Sequence, residues 1–111
     1  MLKSQLKIEE NVRYVCLEGE LDLEAVEELV ELSLKEYENE NSLVLDLGGV
    51  DFVDSTGLHC LLEIWRHWRH CEKSVQLVNV REDVKEILRL VGLDEFFKAA
   101  GGPENGKVAW K

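Results

Sequence analysis

Proline is nearly absent: Pro103 is the one proline in 111 residues, so nothing earlier in the chain is marked by it as a linker or rigid turn. Eight glycines are too few for a disordered or low-complexity chain. The three cysteines, Cys16, Cys60 and Cys71, form no disulfide framework. Cys60 and Cys71 fall on one predicted helix, where a rise of about 1.5 Å per residue sets them roughly 16 Å apart, far beyond the ~7 Å that a disulfide spans between α-carbons. A reducing, cytoplasmic setting is expected. No apolar run approaches the ~20 residues of a membrane-spanning helix, and Met1-Leu2-Lys3-Ser4-Gln5 leads into alternating residues rather than a signal core, so no membrane insertion is expected. Basic charge is scarce too: 13 Lys and Arg stand against 23 Asp and Glu, a formal net charge of −10. That field repels nucleic acid and anionic lipid, and no local basic cluster reverses it. Nucleic acid is excluded as an expected partner.

What is present is an ordinary globular balance of 45% hydrophobic and 32% charged residues, in a length that supports one two-layer core. Gln5 to Glu9 alternates, with Leu6 and Ile8 on one face, and predicts an edge strand. After the Glu10-Asn11 turn, Val12 to Glu18 predicts a longer strand, ended by Gly19-Glu20-Leu21-Asp22. Asp22 is expected to cap a helix running to about Glu38, with Glu24, Glu27 and Glu28 near its positive end. Val26, Leu29, Val30, Ser33 and Tyr37 supply its inward stripe, and Glu31–Lys35 is a supporting pair one turn apart.

Ser42 to Leu47 has the compact apolar character of a central strand covered on both faces. Gly48-Gly49 is expected to end it, and a loop over Val50–Asp54 to deliver the chain to a helix from Ser55 to about Cys71. Ser74 to Val80 predicts another buried strand. Asn79-Val80-Arg81-Glu82 fits a capping box for a helix that turns Val84, Ile87, Leu88 and Val91 inward, with Gly92 as its stop. Leu93 to Phe97 is expected to plug the core. These alternations give an α/β class: a central, mostly parallel mixed sheet of four or five strands with helices packed mainly on one face. One domain over residues 1–100 is followed by an expected flexible tail, 101–111.

Asp51-Phe52-Val53-Asp54-Ser55-Thr56-Gly57-Leu58 is the informative segment. A strand gives way to a helix that opens with two adjacent hydroxyls, so Ser55 stands at or beside a helix N-terminus among free backbone N–H groups. An isolated serine there is commonly a cap. Here Asp-Ser-Thr-Gly-Leu follows Val-Leu-Asp-Leu-Gly-Gly-Val-Asp-Phe-Val, and the stretch resembles the signature of STAS-domain anti-sigma factor antagonists. Gly19-Glu20-Leu21-Asp22 is similar to that family's motif after the second strand. Val78-Asn79-Val80, with Val91-Gly92-Leu93-Asp94-Glu95-Phe96-Phe97, resembles its C-terminal end. The likeness runs in order over about residues 5 to 98. His59, where glycine is usual, and Cys71-Glu72-Lys73, where a glycine pair often stands, depart from the pattern.

The resemblance implies a STAS-like fold and a partner-switching cycle rather than an enzyme. An anti-sigma factor that is also a serine kinase would use ATP to phosphorylate Ser55, with Thr56 the second choice. The unphosphorylated form would bind that kinase and release a sigma factor, and a PP2C-type phosphatase would reset the switch. Asp22, Asp54, Ser55, Thr56, Gly57 and His59 are the implied partner-binding residues. No cofactor is expected, and the chain is expected to be a monomer or weak dimer. Two alternatives share the fold: an accessory STAS subunit of a lipid or anion transport system, and a stressosome-type scaffold component.

At about 100° per residue, Leu58, Leu61, Leu62, Trp65 and Trp68 share one face of the helix after Ser55, widened by Cys60, Ile64 and Cys71. Core packing and contact with a neighbouring helix account for most of that face, and the excess width leaves Trp68 or Ile64 as candidate docking residues. Ser55, His59, Arg66 and His70 take the polar side, which puts His59 one turn after Ser55, within reach of a partner or a Ser55 phosphate. His67, His70 and Cys71 do not complete a tetrahedral metal site. Asp54, Ser55 and His59 lack the mutual geometry of a nucleophile, a base and its orienting group, and no Gly-x-Ser-x-Gly elbow is present.

Overall fold

The computed structural model describes residues 2–37, 39–90 and 92. β1 (Lys3–Glu9) and β2 (Val12–Leu21) form an antiparallel hairpin, turned by Glu10 and Asn11 with φ of 51° and 65°. A 3-10 turn over Leu23–Ala25 leads into α1 (Val26–Leu34), followed by β3 (Ser42–Val53), α2 (Ser55–His70), β4 (Ser74–Val78) and α3 (Glu82–Leu90). The four strands lie in the order β1-β2-β3-β4, with β2, β3 and β4 parallel. This is the expected mixed sheet.

Alternation decides the layers. Val15 and Leu17 of β2, Leu43, Leu45 and Leu47 of β3, and Val75 and Leu77 of β4 face one way and form a single core with Leu29 of α1, Leu61, Ile64 and Trp68 of α2, and Val84 and Leu88 of α3. On the other face of β3, Val44 and Asp46 are buried as well, as a central strand requires.

Several boundaries differ from the sequence reading. β2 continues through Gly19-Glu20-Leu21, and β3 does not stop at Gly48-Gly49, because the two strands keep pairing up to Leu21↔Val53. Two register shifts, between Cys16 and Glu18 and between Gly19 and Glu20, absorb extra residues of β3. Gly19 sits at the second with φ 108°, a conformation that other residues rarely adopt. Asp51 is the extra residue there, so Val50 and Val53, three apart, both point into the core.

The first helix is also shorter than its pattern. Asp22 precedes the 3-10 turn and its side chain makes no capping bond. α1 ends at Leu34, well before Glu38, which lies outside the described residues. The buried Arg13 explains the early stop: it donates to the carbonyls of Leu32 (2.9 Å) and Glu36 (3.1 Å), and Glu36 has φ 52°. Val30, placed inward by its spacing, is exposed. Asn79 does not cap α3; it takes φ 56° and its amide donates to Asp46 Oδ2 at 3.1 Å, while the helix starts from Arg81, whose carbonyl accepts from Lys85 N–H. Val84 and Leu88 face inward as expected, and Gly92, with φ 80°, donates to the Arg89 carbonyl at the end of α3. Val91, the Leu93–Phe97 segment and the tail at 101–111 lie outside the described residues.

Candidate functional site

The C-terminal ends of β2 and β3 meet the start of α2. Asp54 is extended (φ −100°, ψ −176°) and caps the helix: its Oδ1 accepts from Gly57 N–H at 2.9 Å, and its carbonyl from Leu58 N–H at 2.9 Å. This pairing satisfies one of the orphan donors of the first turn. The Asp54 N–H donates to the Leu21 carbonyl at 3.2 Å. Gly57 packs on that same carbonyl: a Cβ here would overlap the Leu21 oxygen and stand 2.8 Å from its carbonyl carbon. Only glycine permits so close an approach.

The cap is therefore Asp54, which leaves Ser55 as the first residue of α2, exposed to solvent, while Thr56 is half-buried and Gly57 buried. Asp22, half-buried, follows Leu21 directly and its backbone carbonyl accepts from Ala25 N–H at 3.0 Å. The fold thus gathers Asp22, Asp54, Ser55, Thr56 and Gly57 at one end of the sheet. His59 lies one turn along α2 and is exposed, on the same side as Arg66 and His70, also exposed. Asp51 is exposed in the β3 bulge, three residues before Asp54.

Trp68 and Ile64 are not docking residues. Both are fully buried, because α1 covers that face of α2. The Trp68 indole N–H donates to the Ser33 carbonyl at 2.9 Å and its ring meets Tyr37 at 4.9 Å, so an apolar face too wide for the sheet is filled by a second helix. Cys71, expected on that face, is exposed beside the Tyr37 hydroxyl at 3.3 Å. Cys60 is buried, which pushes its thiol up from the ordinary 9.0 to about 11. Burial, then the charges of Asp46 and Glu18, raises the Cys16 thiol as well. Neither has the lowered pKa of a reactive thiol.

Two residues the sequence reading passed over flank the turn. Leu23 is 72% exposed just past Asp22, and Phe52 is 49% exposed just before Val53-Asp54. Their signal was weak: Leu23 precedes the helical stripe, and Phe52 falls in the segment read as a loop, where no face is assigned to it until the β3 bulge sets one. No helix among the described residues is long and apolar enough to cross a membrane.

The STAS domain family matches residues 3–104. BtrV of Bordetella bronchiseptica, named as an anti-sigma factor antagonist, is 29% identical over 97 residues, covering 86% of this chain and 84% of BtrV. The fold is similar to that of the Bacillus cell fate determinant SpoIIAA in its phosphorylated form, with a TM-score of 0.71 at 20% identity over 86% of this chain and 88% of that one. A sulfate transporter family protein of Wolinella succinogenes is similar at a TM-score of 0.72 and 18% identity, over 82% of this chain and 79% of that one. The chain belongs to the STAS-domain family.

Proposed function

We propose that this protein is an anti-sigma factor antagonist: unphosphorylated, it docks an anti-sigma factor that is also a serine kinase, and phosphorylation of Ser55 ends that complex. The observation that carries the reading is the exposed Ser55, first residue of a helix already capped by Asp54. A serine used as a cap has its oxygen engaged; with Asp54 as the cap, an exposed Ser55 suits a phosphoacceptor. Shared fold alone does not choose among functions, since a transporter family protein has it too; the name of BtrV and the accessible Ser55 favour the antagonist.

The chemistry gives the switch its direction. Phosphate brings about −1.5 to −2 charges at neutral pH. The N-terminal dipole of α2 favours it by roughly 0.3–1 kcal/mol, whereas one carboxylate about 6 Å away opposes it by roughly 1–2 kcal/mol at solvent dielectric. The first offsets the second only in part, and both act before and after association. The penalty on binding therefore comes from burying a dianion against a partner surface shaped for a hydroxyl. Leu23 and Phe52 supply apolar contact beside Ser55, and Glu20, Asp22, Glu24 and Asp51 around them suit a basic rim on the partner. The protein acts by binding, without turnover, and a PP2C-type phosphatase restores the docking form.

Incubation with the candidate anti-sigma kinase and ATP, followed by peptide mass mapping, is expected to place one phosphate on Ser55. Calorimetry should show Ser55→Ala binding that kinase constitutively and Ser55→Asp weakened by a hundredfold or more. Equal affinity of both variants for the partner would refute the switch.

A further inference from the structure

We propose that β1 is the docking edge for a second copy of this chain, joining two sheets edge to edge around a two-fold axis. Among the described residues β1 pairs with β2 alone and forms the margin of the sheet. Leu6 and Ile8 lie opposite the buried Val15 and Arg13, on the face that the helices cover elsewhere, yet they are 47% and 52% exposed. The apolar layer thus runs out to the edge uncovered, where an edge strand is a ready template for another.

The sequence of β1, Lys3-Ser4-Gln5-Leu6-Lys7-Ile8-Glu9, selects this strand itself as the occupant. Two copies of one strand can pair antiparallel only about an axis perpendicular to the sheet, which keeps both helix layers on the same side. Centred on Gln5, that pairing sets Lys3 against the partner's Lys7; centred on Lys7, it sets Lys7 against the partner's Lys7. Directly opposed like charges are destabilising. Centred on Leu6, all seven residues overlap. Lys3 then meets the partner's Glu9 at both ends, Gln5 meets the partner's Lys7, and Leu6 packs on the partner's Leu6. Lysines on an edge ordinarily deter pairing; in this register none faces another. The charge of −10 on each chain opposes association at longer range, so the dimer forms at high protein concentration. Ser55 follows β3, two strands in from this edge, and stays open in the pair.

Two measurements test it. In a Cys71→Ser background, Leu6→Cys places opposed α-carbons about 4.5–5.5 Å apart, within disulfide reach, whereas Ile8→Cys leaves them about 13 Å apart. Mild oxidation is expected to cross-link the first chain and not the second. In sedimentation equilibrium, Lys3→Glu and Glu9→Lys are each expected to weaken the dimer roughly tenfold, and the two together to restore it. Both positions are exposed, and circular dichroism confirms that each variant is folded. A wild-type chain that stays monomeric at millimolar concentration, cross-linking at Ile8→Cys as fast as at Leu6→Cys, or a double variant no tighter than the singles overturns the proposal.

Discussion

Gly57 of α2 rests against the carbonyl of Leu21 at the end of β2, so close that a Cβ on Gly57 would stand 2.8 Å from that carbonyl carbon. The same carbonyl accepts from Asp54 N–H at 3.2 Å. One peptide group of β2 therefore fixes both the cap and the first turn of the helix that presents Ser55.

Gly57→Ala must push α2 off Leu21, because the obstructing atoms are backbone. Overpacking of this kind costs about 1–3 kcal/mol, to be read in urea unfolding. The Ser55 turn should move with it, so phosphorylation of Ser55 should slow even under conditions where the variant is fully folded. A Gly57→Ala chain with wild-type stability and phosphorylation rate would contradict this geometry.

Arg13 and Glu40 form a buried ion pair, with Nε and Nη2 of Arg13 at 2.8 and 2.7 Å from Glu40 Oε1. Arg13→Met removes the partner of a buried carboxylate and the donors to Leu32 and Glu36, at an expected cost of about 3–5 kcal/mol. Adding Glu40→Gln should recover part of that loss by removing the uncompensated charge. A double variant as unstable as the sum of the two singles would show the pair to be uncoupled.

The thiols give a pH prediction. Cys60 ionises near 11 in the folded chain instead of the ordinary 9.0, so between these values the unfolded state releases a proton that the folded state retains. Stability attributable to Cys60 is thus complete below pH 9 and falls as pH rises towards 11. Cys60→Ala should flatten this slope whatever its own effect at neutral pH. In the folded protein at pH 8, an alkylating reagent should modify the exposed Cys71 first, with Cys60 reacting only on unfolding.

His59 shares the exposed side of α2 with Ser55. His59→Ala is expected to leave the unfolding midpoint nearly unchanged, since Ala is the better helix former, and to weaken binding to the anti-sigma partner severalfold. Unaltered affinity in calorimetry would place His59 outside the interface.

Periodicity alone determined the number and order of the major elements, the inward faces of Leu61, Val84 and Leu88, and the position of Ser55 at a helix start. Those features depend on contacts within a few residues, where spacing dictates which side chains share a face. The tertiary structure decided what depends on residues distant in sequence. Strand pairing with β2 carried β3 through Gly48-Gly49 to Val53, because ladder hydrogen bonds and the bulge at Gly19 override a local loop signal. Arg13 ended α1 from another element, and α1 in turn buried Trp68 and Ile64. The exposed Ser55 follows from the same cause: Asp54 takes the cap once Leu21 holds Gly57 in place, a choice between neighbouring oxygens that no pattern along the chain expresses.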